Sequence, residues 1–372
     1  MKISLLKLSL VFALVISTIS CKENQKNKDA ENVSDDVQLD STDLALLELD
    51  LPEGFKIEVY ARGVDGARSM AMGDNGTLFV GTRTENTVYA IQDTDGDFKA
   101  DNVIVLDTME VPNGIAMRNG DLYVAQVGSL WKYPNIEEQL GGTLNKELIY
   151  DDFPTEFHHG WKYIAFGPDD KLYVPVGAPC NICNRTNEDE RFATISRMDP
   201  DGSNREIYAR GIRNTVGFTW HPETGDMWFT DNGRDMLGDD IPPCELNHIT
   251  EARQHFVSPA LQLGAHVAPL AIKFYTGDMF PPNYKDKAFI AEHGSWNRSK
   301  KVGYRIMMAD IKDGEVIDYV PFIDGWLNES TQEASGRPVD ILWLKDGSML
   351  ISDDYGDAIY RVSFDDTALT SN

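Results

Sequence analysis

Residues 157–177 read FHHGWKYIAFGPDDKLYVPVG: two adjacent histidines, an alternating segment, a Gly-Pro-Asp-Asp turn and a second alternating segment. The turn and the alternation after it recur as GDNGTLFVGT from Gly73, RNGDLYVAQV from Arg118, HPETGDMWFTDNG from His221, YKDKAFIAEHG from Tyr284 and LKDGSMLISDD from Leu344. Each copy joins a tight turn to the two-residue hydrophobic period of a strand, which predicts a hairpin. The copies stand roughly 45 to 60 residues apart, the spacing of propeller blades rather than of one continuous sheet. Helical periodicity is nearly absent. The chain is therefore expected to be all-β, a six-bladed β-propeller around a central channel, because closure leaves few exposed sheet edges.

With 372 residues and no internal Pro/Ser/Gly-rich linker, one propeller domain over residues 51–366 is expected, with a short tail over 367–372. The start differs. Lys2 and Lys7 precede an apolar run from Leu8 to Ile19, and small residues lead to Cys21. That run is too short to cross a bilayer and reads as an export signal over residues 1–20. Cys21, after Ser20, stands where a bacterial lipoprotein signal places its lipidated cysteine. Residues 21–50, rich in Lys, Asn, Asp, Glu and Ser, carry little apolar surface and read as a flexible tether. The expectation is an exported lipoprotein, periplasmic or on the outer-membrane surface, that meets the membrane only through its lipid.

Of the cysteines that remain, Cys180 and Cys183 enclose two residues and suit a small disulfide loop, with Cys183–Cys244 as the alternative pairing. Asn184 occupies the position where a c-type haem attachment needs histidine, and no local spacing completes a zinc site. The net charge of −26 opposes binding to nucleic acid or adsorption to anionic lipid. Asp93, Asp95 and Asp97 alternate around Gly96, with Asp101 following, and resemble a hard-cation loop for calcium without completing an EF-hand.

Cations are scarce in such a chain, so their placement is informative. His159 precedes the third copy, Arg213-Asn214 the fourth and Arg337 the sixth. Residues at the starts of inner strands line one mouth of a propeller channel, so these side chains are expected to converge. One histidine with two arginines describes a site for an anionic cofactor or substrate with a base beside it.

These motifs resemble the soluble glucose and sorbosone dehydrogenases that use pyrroloquinoline quinone (PQQ), in particular their exported, sorbosone-dehydrogenase-like bacterial branch. The resemblance runs from about Leu51 to Phe364 and includes HHGWKYIAFGPDDKLYVPVGAPCNIC, GIRNTVGFTWHPETGDMWFTDNG, FIAEHGSWNR and GRPVDILWLKDGSMLISDDYGDAIYRVSF. It implies a quinoprotein that oxidises a sugar or related alcohol or aldehyde by hydride transfer to PQQ and hands the electrons to a separate acceptor. By the same resemblance His159 is the base and Arg213 faces the quinone oxygens. Asn214, Asn232 and Arg337 hold the cofactor, and Arg298 or Lys300 replaces a cofactor lysine. Calcium is implied near Gly233, Arg234, Asp239 and Asp240.

The pattern departs from that family in places. Arg234 replaces a proline, His158 replaces the acidic residue before the base, and Val339 replaces a second arginine. Two other readings stand beside the dehydrogenase. One is a calcium-dependent propeller lactonase or related hydrolase, with Asn113, Asn214 and Asp340 among its metal ligands. The other is a non-catalytic, surface-anchored binding propeller.

Overall fold

A computed structural model describes residues 41–250 and 258–367. The expected signal, Cys21, residues 22–40 of the tether and residues 368–372 lie outside the described residues.

The described chain forms six four-stranded antiparallel sheets, the blades of a six-bladed β-propeller. Blades one to five take consecutive strands within 67–108, 114–150, 165–210, 218–265 and 269–323. The sixth joins both ends of the domain. Its strands Pro338–Trp343, Met349–Asp353 and Ala358–Phe364 are completed by Phe55–Arg62, with Phe55 opposite Phe364. Phe55 also lies 4.7 to 5.1 Å from the rings of Phe280, Tyr284, Phe322 and Phe364. Such aromatic pairs contribute about 0.5–1.5 kcal/mol each beyond area burial, so the closing strand is fastened to blade five as well as to blade six.

The six recurring segments form the second strand of each blade: Leu78–Thr82, Asp121–Ala125, Leu172–Val176, Met227–Asp231, Ala288–Glu292 and Met349–Asp353. Five of them are buried at every residue, because a blade packs against a neighbour on each face.

Residues 41–50, expected as the end of the tether, pack onto the propeller. Ser41–Leu47 is helical, Leu46 is buried in the cluster that holds Trp326 and Tyr360, and Asp50 bridges Asp324. The leucines interspersed among the acidic residues here give this stretch something to bury.

Antiparallel pairing brings the start of each blade's first strand beside the end of its second. All the first-strand starts therefore share one mouth of the channel with all the second-strand ends. Val216, Leu270 and Val339, packed with Trp161, form an apolar cluster from three blades and close the floor of that mouth. The position where the family pattern has a second arginine thus supplies part of a hydrophobic floor.

Candidate active site

A cavity of about 660 Å³ opens at this mouth, lined among others by Arg68, Arg83, His159, Arg213, His293 and Arg337. The expected residues His159, Arg213, Asn214, Asn232, Gly233 and Arg337 all reach it. Two carboxylates at equivalent positions explain how the arginines arrive there. Asp231, ending the second strand of blade four, accepts the backbone N–H groups of Arg213 at 2.8 Å and Asn214 at 2.6 Å. Asp353, ending the second strand of blade six, accepts that of Arg337 at 2.9 Å. Each carboxylate folds the chain ahead of its blade so that the following side chains enter the channel. Burial pushes the Asp231 carboxyl up to about 7, despite those two hydrogen bonds.

His159 is buried, with φ of 54°, in the left-handed region that a non-glycine residue seldom adopts. Its Nδ1 lies 2.8 Å from the Ala178 carbonyl oxygen, which can only accept. The proton is therefore on Nδ1, and the lone pair of Nε2 is left for the cavity. Burial, then the charges of Arg213 and His158, lower its pKa to about 3. Gly177 makes this packing possible. A Cβ there would stand 2.6 Å from His159 Cβ and 3.2 Å from the Arg213 carbonyl oxygen, too close for any side chain.

Arg213 donates from Nη1 to the Asn232 carbonyl at 2.9 Å and from Nη2 to Asn181 Oδ1 at 2.8 Å. Both acceptors are neutral, so its charge is undiminished by a direct ion pair. On another wall, Arg337 donates to the carbonyls of Gly294 at 2.8 Å and His293 at 3.2 Å.

Several cavity residues escaped sequence reading. Arg68 donates to Asp354 at 2.6 Å and to Asn113 at 2.6 Å. His293 Nε2 meets the other Asp354 oxygen at 2.7 Å. Burial alone would raise the Asp354 carboxyl, but His293 and Arg68 hold it well below the ordinary carboxylate range. Burial lowers His293 to about 4 against the opposing pull of Asp354. Arg83 lies with its guanidinium carbon 3.7 Å above the Trp161 ring. Burial and then Arg68 lower its pKa to about 10. Arg68 stands at the start of blade one's first strand, where the rule that found His159 applies, whereas His293 lies just past the end of blade five's second strand.

The remaining expected residues lie away from this cavity or in its wall, some of them paired otherwise than expected. Asp239 accepts hydrogen bonds from Arg298 and Ser299, and Asp240 pairs with Arg298 at 3.1 Å. Ser299 thus satisfies the Asp239 carboxylate, while Arg298 holds the Asp239 backbone carbonyl and the Asp240 carboxylate, and none of Arg298, Asp239 and Asp240 lines the cavity. Arg234 lines a neighbouring cavity of about 540 Å³ instead. Lys300 forms an exposed pair with Glu329. Asp93, Asp95 and Asp101 bring carboxylate oxygens within 4.8 Å of one another, while Asp97 stands apart and accepts the Lys99 N–H. Cys180 and Cys183 are disulfide-bonded, and Cys244 is a buried free thiol in the cavity wall.

The arrangement selects for an anion. Arg83 Nε, Arg213 Nε and Trp161 Nε1 are buried without hydrogen-bond partners, a condition that folded proteins seldom tolerate unless a ligand answers it. Four arginines and these free donors around an apolar floor fit a flat polycarboxylate. Carboxylates that could hold a calcium ion are scarce there: Asp235 is the one in the lining, and it faces His266 at 3.5 Å.

The sequence pattern of the TrAA12-like family matches residues 49–245 and 243–364, almost the whole of the propeller. The chain belongs to the TrAA12-like family. A Borreliella burgdorferi relative described only as an uncharacterized protein is 32% identical over 355 residues, covering 85% of this chain and 91% of its own. The pyrroloquinoline quinone-dependent pyranose dehydrogenase of Coprinopsis cinerea is 28% identical over 318 residues, 79% of this chain, which spans only 37% of that larger protein. Its PQQ domain, solved in the holo form, superposes with a TM-score of 0.71 at 17% identity, over 85% of this chain and 97% of that domain. A calcium structure of a Trichoderma reesei family AA12 enzyme gives 0.74 at 19% identity, over 86% and 97%. At those identities the superpositions speak for the shared fold.

Proposed function

We propose that this TrAA12-like protein is a quinoprotein oxidoreductase that oxidises a sugar or related alcohol or aldehyde with PQQ in the central cavity. The observation that carries the reading is the convergence of Arg68, Arg83, Arg213 and Arg337 with a neutral His159 on one cavity whose buried donors lack partners. When bound, PQQ supplies a quinone able to accept hydride from a carbinol carbon.

The chain's own residues do the rest. His159 Nε2 takes the hydroxyl proton as the carbonyl forms. Burial and then the Arg213 charge depress its pKa, and an anion beside it opposes the second of these, so occupancy makes it a better base. Arg213 presents an uncancelled positive charge where negative charge grows. Arg337, held by two carbonyls, and Asn214 anchor the carboxylates, while the Val216, Leu270 and Val339 floor excludes water from below. No step requires calcium. The hydrolase reading loses its ligands, because Asn113 is spent on Arg68 and on the Lys162 carbonyl, and Asp340 on the N–H groups of Met70 and Ile341.

The test is titration of purified protein with PQQ, with and without calcium, followed by an aldose panel and a dye acceptor. Saturable quenching of tryptophan fluorescence and dye reduction with at least one aldose are expected. Absence of PQQ binding would end the proposal, and binding without turnover on any sugar, alcohol or aldehyde would leave a binding propeller.

A further inference from the structure

Arg213 borders three cavities, of about 660, 540 and 440 Å³, and so stands between them. Its guanidinium is held by the Asn232 carbonyl on Nη1 and by one side chain, Asn181, on Nη2. Asn181 Oδ1 accepts Arg213 Nη2 at 2.8 Å and the backbone N–H of Asp235 at 2.9 Å, while Asn181 Nδ2 donates to the Asp235 carbonyl at 3.0 Å. Every hydrogen-bonding atom of this amide is used, and it ties a blade-three loop to the guanidinium and to the segment after Asn232. Asn181 itself stands in the loop closed by the Cys180–Cys183 disulfide, between strands Leu172–Val176 and Thr194–Met198. Loop side chains are mobile unless covalently or tertiarily restrained, and here the restraint is covalent.

The neutrality of the amide matters. Arg68 is held by the Asp354 carboxylate, which offsets its charge, whereas Arg213 is held on both Nη atoms by uncharged oxygens. Such a grip fixes direction without cancelling charge. A carboxylate in the same place would fix direction and remove most of the field that an anion in the cavity feels.

We infer that Asn181, held in the Cys180–Cys183 loop, is a positioning residue that keeps Arg213 aimed into the cavity with its full charge. The cavity's affinity for a polycarboxylate such as PQQ then depends on Asn181 only through Arg213. The inference rests on the proposed PQQ reading for its ligand, but the clamp itself is open to a measurement without ligand.

Hydrogen–deuterium exchange of the Asp235 amide provides that measurement. Asn181→Ala removes its acceptor and is expected to accelerate exchange there at least about tenfold. Serine at both 180 and 183 is expected to act in the same direction. Asn181→Asp keeps an acceptor oxygen and is expected to retain most of the protection. Exchange unchanged in the alanine variant would overturn the clamp. PQQ titration then reads the consequence. Asn181→Ala and Asn181→Asp are each expected to weaken binding at least about tenfold, the latter although the amide stays protected. In an Arg213→Ala background Asn181→Ala, which changes no charge, is not expected to weaken it further. An Asn181→Ala loss that adds to that of Arg213→Ala, or an aspartate variant with native affinity, would refute the inference. If the unaltered protein binds no PQQ, the functional proposal falls, and the exchange experiment still decides the clamp.

Discussion

Two of the cavity's histidines, the buried His159 and the partly buried His293, have their neutral forms fixed by opposite means. His159, on the blade-three side, keeps its proton on Nδ1 through a carbonyl, with cationic Arg213 nearby. His293, after blade five's second strand, donates from Nε2 to the Asp354 carboxylate, which Arg68 also grips, so its lone pair is on Nδ1. A carbonyl fixes orientation without favouring the charged ring, whereas a carboxylate does both. The His159 wall is thus responsive to an incoming anion, and the His293 wall is already neutralised within itself. That difference assigns proton transfer to the first wall and scaffolding to the second.

The sharpest way to break the comparison is to remove each imidazole. His159→Ala is expected to lower turnover by about 10²–10⁴-fold while leaving PQQ affinity within a few fold, as for loss of a general base. His293→Ala is expected to lose less turnover, because its ring neighbours the reaction without a charge mismatch for an anion to relieve. Steady-state kinetics on the PQQ-loaded variants check both. A larger turnover loss at His293 would invert the assignment.

The walls also differ in how acid affects them. Both histidines have folded pKa values below the unfolded value of about 6.5, so the unfolded chain takes protons that the folded chain refuses. Each therefore lowers stability as pH falls from about 6.5 toward its folded value, about 3 for His159 and about 4 for His293. Asp354 acts lower. Its depressed carboxyl contributes stability that is fully present above an unfolded pKa of about 3.9 and is lost as pH falls through the folded value. Replacing either histidine by glutamine is expected to flatten the pH dependence of urea unfolding between about pH 6.5 and 4, and Asp354→Asn to flatten only the dependence below about pH 3.9. An unchanged slope in His159→Gln would show that this imidazole accepts protons freely in the folded state.

How much of this was legible follows from what repeats. Each turn-plus-strand copy became a second strand, because the hydrophobic period is local and every blade needs one. Strand-start logic likewise found His159, Arg213 and Arg337. It passed over Arg68, although GARSMAM precedes blade one's GDNGTLFVGT as GRPVDIL precedes blade six's LKDGSML. His293 and Asp354 follow second strands, at the other chain direction of the same mouth, and only antiparallel register brings them there. The calcium set failed for a different reason. Asp239 and Asp240 look free in sequence, but Ser299 takes the Asp239 carboxylate and Arg298 that of Asp240, 60 and 58 residues away. Long-range pairing of that kind leaves no local signal.

The smallest expected effect tests the same boundary between cavity and surface. Arg337 reaches the cavity and is directed by two carbonyls, so Arg337→Ala is expected to weaken PQQ binding about tenfold or more, the scale of one charge-assisted hydrogen bond. Lys300, expected from the family resemblance to touch the cofactor, is largely exposed and pairs with the equally exposed Glu329 at 2.8 Å. Such a pair is worth at most about 1 kcal/mol. Its charge is also screened beyond roughly 8–10 Å at ordinary ionic strength. Lys300→Ala is therefore expected to leave PQQ affinity and midpoint of unfolding unchanged within error. Should it instead match Arg337→Ala in a fluorescence titration, the loop bearing Lys300 folds inward over the ligand, and the cavity wall extends to a residue that here lies at the surface.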